Sequence, residues 1–309
     1  MPVLLIEAVE ALNIKADGAY LDATFGRGGH AAAILAKLAA GGRLICLDRD
    51  AAAVAQARVR FGSDSRVTIF LAPFSRLAAC ADRVQPALAL DGILFDLGVS
   101  SPQLDDAERG FSFMQDGPLD MRMGGTEGPS AADVVNTAPE GQLARIFREF
   151  GEERFAMRIA RAIAADRKSA PFERTLQLAE MIARVCPTRE RHKHPATRVF
   201  QALRIYVNNE LGELEAALAA ALARLAPRGR LAVISFHSLE DRIVKQFMRR
   251  HALPDPVYAG LPHIPAHARP LLKLVGKPIV PAEPEIGLNP RARSARLRVA
   301  ERLEQELAA

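Results

Sequence analysis

Asp22-Ala-Thr-Phe-Gly26-Arg-Gly28-Gly29-His30-Ala31 is the first run in this chain whose residue types suit chemistry. Gly26 to Ala31 satisfies the G-x-G-x-x-A pattern, in which glycines let the backbone turn sharply and let a ligand approach the main-chain amides. Asp48 lies 20 residues past Gly28, where a carboxylate can accept both ribose hydroxyls of a nucleoside. The spacing suits two cofactor classes. A dinucleotide would place pyrophosphate at the start of the following helix. S-adenosylmethionine has no phosphate and needs polar partners for its amino-acid end. Asp22, four residues ahead of Gly26, favours the second, because a carboxylate there repels pyrophosphate and either attracts an ammonium or organises the loop. A tight strand–helix turn without a ligand is the bland alternative.

A second carboxylate is delivered by Gly92-Ile-Leu-Phe-Asp96-Leu-Gly98, where an apolar run ends at an acid beside a glycine turn. Asp96 can hold an amino group by hydrogen bonding. The residues after it, Ser100 or Ser101 with Pro102, read as the cap of a short helix. Pro73-Phe74-Ser75 borders the place of an adenine ring in this layout, with Phe74 either packed on the base or part of the core. In Val233-Ile-Ser235-Phe236-His237-Ser238-Leu-Glu-Asp241, Ser238 and Asp241 have capping-box-like spacing. Phe236 and His237 then remain as candidates to line a substrate pocket, against the alternative of a structural histidine. No Ser–His–Asp set is spaced for a nucleophile. His192 and His194 have no third and fourth zinc ligand nearby, so no metal is expected.

These side chains need elements to position them. Residues 19–24, 43–47, 67–71 and 90–97 read as strands separated by helical segments 30–40, 50–60 and 75–83, the order of βαβ units in a parallel sheet. Right-handed crossovers bring the strand ends, and so the acids, to one edge. A fifth strand is expected at 230–235, and further strands near 271–275 and 296–302. Between the fourth and fifth, residues 100–130 read as an ordered loop and the rest as almost entirely helical. Residues 197–225 carry the spacing of one long amphipathic helix whose apolar face is a possible homodimer seam. The expected organisation is therefore α/β, with residues 1–104 and 201–309 forming the sheet domain and 105–200 an inserted helical domain.

Composition fits a globular protein of this length: 309 residues, 49% hydrophobic and 25% charged. It excludes global disorder, collagen and membrane-span classes. Cys46, Cys80 and Cys186 are scattered, which favours reduced thiols and a cytoplasmic setting over a disulfide frame. The net charge of +5 permits an anionic partner. Three basic stretches favour nucleic acid: Arg154/Arg158/Arg161 at helical spacing, residues 189–198, and residues 291–298. They place the charge on the insert and the C-terminal tail. The absence of Trp and the 3 Tyr argue against an open stacking platform for single strands.

At the level of whole motifs the sequence resembles the RsmH/MraW family of bacterial S-adenosylmethionine-dependent rRNA methyltransferases. The resemblance rests on residues 2–7, 22–30, Asp48-Arg-Asp50, 95–103, 117–123, 194–198, 200–208, 234–242 and 289–298. It implies a class I methyltransferase (Rossmann-like) sheet with an inserted all-helical substrate-recognition domain. It implies methylation of the exocyclic N4 amino group of a cytosine in the decoding region of 16S ribosomal RNA. The implied cofactor contacts are Gly28, Gly29, His30, Asp48, Phe74, Asp96 and Gln103. Asp96 and His237 stand as the catalytic candidates, with Phe236 supporting the base. The implied chemistry is in-line attack of the amino nitrogen on the sulfonium methyl, with no covalent enzyme intermediate. Members commonly have a His just before the segment that here begins Pro2-Val3, where this chain has Met1. Any role of that His is expected to be absent, or the start codon lies elsewhere.

Overall fold

Runs whose residues alternate between two apolar faces become the strands of a single sheet. They are β1 (Ala19–Asp22), β2 (Arg43–Asp48), β3 (Val67–Leu71), β4 (Leu90–Asp96), β5 (Leu225–Ser235), β6 (Leu272–Leu274) and β7 (Arg296–Arg302). Their order in the computed structural model, which describes residues 2–125, 127–186, 194–258, 261 and 263–304, is β3-β2-β1-β4-β5-β7-β6. The first five are parallel, and β7 runs antiparallel to both β5 and β6. This is the class I methyltransferase sheet that the resemblance implies. Leu21, Ile45, Leu47, Ile93, Phe95, Leu231 and Val233 enter the core on one face. Tyr20, Leu44, Cys46, Leu94, Ala232 and Ile234 enter the core on the other. Burial on both faces explains why these strands read as nearly continuous apolar runs.

The three acids are the last residues of their strands: Asp22 of β1, Asp48 of β2 and Asp96 of β4. Because β1, β2 and β4 are parallel neighbours, those ends lie on one edge of the sheet.

The chain forms two compact units, Met1–Gly98 with Leu211–Ala309, and Val99–Glu210. Both chain crossings lie several residues away from the positions 104/105 and 200/201 read from the sequence. The reason is packing: Val99 and Leu104 pack on the helical core, and Val199, Phe200 and Leu203 are buried in it. That second unit contains the helices Ala131–Thr137, Glu140–Gly151, Ala156–Asp166, Thr175–Val185 and Thr197–Asn208. Residues 107–125 are ordered against them. Buried Asn208 accepts a hydrogen bond from Met123 N (2.9 Å) and donates to Met121 O (2.7 Å), which fixes the strained backbone of Met121 (φ 64°).

The single helix expected over residues 197–225 is two helices, Thr197–Asn208 and Glu210–Arg224. Asn209 between them is left-handed (φ 48°), a conformation that asparagine tolerates and that ends a helix. The apolar positions that suggested a dimer seam are used internally. Phe200 and Leu203 are buried in the helical unit, and Leu214, Leu218, Leu222 and Leu225 lie in the core under the sheet. Among the described residues no helix is long and apolar enough to cross a membrane.

Candidate active site

The site grows from the turn after β1. Ala23 N–H donates to Leu94 O and Phe25 N–H to Leu47 O (2.9 Å each), so the chain leaves the sheet between β4 and β2. Gly26 (φ 53°) and Gly28 (φ 69°) then take left-handed conformations, and the helix Gly29–Leu35 follows. A Cβ on Gly28 would lie 2.4 Å from the Phe25 ring, and one on Gly29 would lie 2.1 Å from Pro2. Both glycines are thus required by the chain's own packing. At Gly26 nothing lies nearer than 3.9 Å, and only the backbone conformation calls for glycine.

Asp48 organises this turn. One carboxylate oxygen accepts from Gly26 N–H and the other from Asp50 N–H, each at 2.8 Å. Asp50 in turn caps the next helix by accepting from Ala52 N–H (3.0 Å). Burial still pushes Asp48 above the usual carboxylate range, against the pull of those backbone donors. Asp22 accepts from Thr24 N–H (3.2 Å) through one oxygen, while its second oxygen is buried without a hydrogen-bond partner. Its pKa is pushed up to about 7, first by burial and then by the neighbouring Asp48 charge. Thr24 links the strand ends, since its hydroxyl oxygen accepts from Asp96 N–H (2.6 Å).

Asp96 keeps about a quarter of its side chain exposed (25%). One of its carboxylate oxygens is nevertheless buried and unpaired. Burial raises its pKa well above the carboxylate range, and the charges of Asp22 and Glu240 add to the effect. His30 Nδ1 lies 3.5 Å from the other oxygen. Burial lowers the His30 pKa to about 4, so at neutral pH it supplies no positive charge. Phe74 packs edge-on against Phe95 (5.9 Å, 84°) and stays half-buried.

At the end of β5 the structure moves the helix cap by one residue. His237, not Ser238, is the N-cap of the helix Ser238–His251, and Glu240, not Asp241, is its partner. His237 Nδ1 accepts from Glu240 N–H (3.4 Å), and a Glu240 carboxylate oxygen accepts from Phe236 N–H (2.8 Å) and His237 N–H (3.3 Å). His237 therefore has a structural role that the sequence reading gave to its neighbour. Gln103 lies in the second unit, in the short helix Ser101–Asp105, where its side-chain oxygen accepts from Ser100 N–H (2.9 Å). Thr24 and Glu240 were missed from sequence. The only signal for Glu240 was its place as the third residue of a helix opened by His237.

The basic stretches also resolve into separate cases. Arg298 pairs with both oxygens of Asp241 (2.7 and 3.0 Å) and Arg296 with one (3.1 Å). Half of the C-terminal run is thereby committed to a structural ion pair. Arg154, Arg158 and Arg161 are exposed, while Phe155, Ile159 and Ile163 pack into the helical core. His194 stacks on Phe113 (4.8 Å). Arg189, Arg191, His192 and Lys193 lie outside the described residues.

The donor set distinguishes the two cofactor classes that the glycine pattern left open. Asp22, Asp48 and Asp96 are clustered acids, and among the described residues no Lys or Arg forms an ion pair with any of them. Unpaired buried oxygens on Asp22 and Asp96 suit a cationic ligand with N–H donors. They do not suit pyrophosphate, which would meet three carboxylates. The residues present therefore fit S-adenosylmethionine.

Comparison with known proteins agrees. The model of the MraW methylase family matches residues 1–303. A ribosomal RNA small subunit methyltransferase H from Shewanella loihica is 55% identical over 306 residues, covering 98% of this chain and 97% of that protein. One of the same name from Idiomarina loihiensis is 54% identical over 306 residues, with the same coverage. Among solved structures, an rRNA methylase from Streptococcus thermophilus is 12% identical, with a TM-score of 0.42, covering 97% of this chain and 94% of that one. With a family match over nearly its whole length and relatives above half identity, this chain belongs to the MraW methylase family.

Proposed function

We propose that the protein methylates small-subunit (16S) ribosomal RNA, at the exocyclic N4 amino group of a cytosine in the decoding region. The observation that carries the reading is the convergence of Asp22, Asp48 and Asp96 on one sheet edge with no Lys or Arg partner among the described residues, in a chain whose close relatives are named for this class of reaction. S-adenosylmethionine, when bound, supplies a methyl group on a cationic sulfur. Asp48 together with the Gly26–His30 turn holds the nucleoside end, and Phe74 borders the adenine. Asp22 and Asp96 would face the positive charges.

Burial raises the pKa of Asp22 to about 7 and pushes that of Asp96 upward, because it penalises the charge. A positive charge beside them favours the carboxylates. Asp96 then becomes a strong acceptor and orients an incoming amino group by one of its N–H bonds. Transfer would break the sulfur–methyl bond and leave the neutral thioether, and the proton lost by the methylated nitrogen would go to Asp96 or to water. A cytosine amino lone pair is delocalised into its ring, so positioning is the main service the protein renders. The base must leave its stack to be reached, and Phe236, whose N–H is held by Glu240, would support it. His237 fixes that corner through its cap. Exposed Arg154, Arg158 and Arg161 of the helical unit offer phosphate contacts.

The test is Asp96→Ala. It should abolish methyl transfer to unmodified small subunits while the circular dichroism spectrum and unfolding midpoint stay near those of the parent. Full activity in that variant overturns the assignment of Asp96.

A further inference from the structure

The positive charge of this chain is concentrated where the sequence reading did not place it. The unit Val99–Glu210 contains 16 Lys and Arg against 16 Asp and Glu, so the helical insert is neutral as a whole. The entire +5 belongs to the sheet unit. Within that unit, residues 242–277 hold 7 Lys and Arg against a single acid, Asp255. That segment alone exceeds the net charge of the whole protein.

Four of the seven cations lie on one helix. In Ser238–His251, the residues Arg242, Lys245, Gln246, Arg249 and Arg250 fall at i, i+3, i+4, i+7 and i+8, which is one face. All five are exposed. The opposite face, including Leu239, Val244 and Met248, is buried. The two acids of the helix do not offset this face. Glu240 is buried and holds the Phe236–His237 corner, while Asp241 is taken by Arg296 and Arg298. Arg249 and Arg250 in the last turn are favoured by the helix dipole, but Arg242 and Lys245 sit too near the N-terminus for that explanation. Lys245, Gln246, Arg249 and Arg250 give this face three cations and an amide and no carboxylate.

Its position gives the face a direction. The helix opens at His237, directly after the end of β5, and β5 pairs with β4 in a register that sets Ile234 beside Asp96. The cations then continue away from that edge, with about 12 Å of helix rise between Arg242 and Arg250. That span suits a few consecutive phosphates of a nucleic-acid strand whose next nucleotide is at the sheet edge.

We propose that this helix face is a phosphate-binding surface for the ribosomal RNA strand flanking the methylated base. The inference rests on the ribosomal RNA reading above and adds to it the part of the molecule that holds the strand. Each Lys or Arg that neutralises a phosphate steepens the salt dependence of binding, by about 0.7 for a single strand and 0.9 for a duplex in the log–log slope.

The experiment uses the full chain with Lys245→Gln, Arg249→Gln and Arg250→Gln combined, and small ribosomal subunits from cells lacking the modification. Binding is measured from 50 to 300 mM salt, alongside KM for subunits and the affinity for S-adenosylmethionine. The slope should flatten by about 2. KM should rise at least tenfold, far more than kcat falls, with cofactor affinity within twofold of the parent. The charge-preserving set K245R/R249K/R250K should restore the slope. A slope and KM equal to the parent's overturn the surface. Loss of cofactor affinity in the triple variant moves the same test to the three single substitutions. Each should then flatten the slope by 0.7 to 0.9, and no change in any of them likewise overturns the surface. If the parent itself neither binds nor methylates the subunits, it is the ribosomal RNA reading that has failed.

Discussion

Replacing Asp22 with Asn should change how stability depends on pH. Asp22 is 1% exposed, and its pKa is about 7 in the folded chain against 3.8 for the free side chain. A carboxyl whose pKa is raised by folding binds more protons in the native state than in the unfolded one between those two values. Stability therefore falls as pH rises from about 4 to 7, by about 1.4 kcal/mol per pH unit for one group. Over the whole window the loss from Asp22 is at most about 4 kcal/mol. Below pH 4 both states are protonated, above pH 7 both are ionised, and the slope from this group vanishes. His30 acts in the opposite sense. Its folded pKa of about 4 lies below its free value of 6.5, so its burial makes stability rise with pH across that interval. The two partly cancel in the parent protein. The difference between parent and Asp22→Asn cancels the His30 contribution and leaves that of the aspartate with its coupling to Asp48 and Asp96, since Asn has the same shape and does not titrate.

The assay is urea unfolding of the ligand-free protein at half-unit steps from pH 4 to 8, comparing free energies of the two proteins. The variant should gain on the parent between pH 5 and 7, by about 2 kcal/mol in total, and hold a nearly constant difference from pH 7.5 upward. A difference independent of pH across that window would refute the reasoning, because it would mean that Asp22 is ionised in the folded protein over the whole range.

Further outcomes follow from the same contacts. Asp48→Ala leaves Gly26 N–H and Asp50 N–H without their acceptor. It should cost about 2–4 kcal/mol of stability and weaken S-adenosylmethionine binding at least tenfold by isothermal titration. Asp241→Ala strands Arg298, which is 15% exposed. It should cost about 3 kcal/mol in a denaturant titration, where an exposed surface pair would cost less than about 1.

The strands were legible because both of their faces are buried, so each is a short apolar run with an acid at its end. The order of loop, helix and acid then followed from βαβ logic. The failures share a different cause. The break at Asn209 depends on a backbone conformation that leaves the apolar spacing on either side intact, so periodicity ran straight through it. The cap of the last long helix was misplaced by one residue because His237 and Ser238 are both able to cap, and only the reach of Glu240 back to Phe236 N–H decides between them. Arg296 and Arg298 looked like a free basic tail because Asp241, their partner, is 55 and 57 residues away. The packing around Gly28 and Gly29 was not readable. The turn needs glycine, yet Phe25 and Pro2 are what crowd it. The acid cluster itself was readable as three separate strand ends. What required the structure was that no Lys or Arg among the described residues pairs with them, and that is the feature that selects a positively charged cofactor over a dinucleotide.

The central claim is the transfer of one methyl group to one base. Small ribosomal subunits lacking the modification, incubated with the protein and methyl-labelled S-adenosylmethionine, should take up one label per subunit. Nuclease digestion and mass spectrometry should place it on the N4 nitrogen of a single cytosine in the decoding region. Label on a ring carbon, on a ribose or on ribosomal protein, or none at all with active cofactor-loaded protein, would contradict the account.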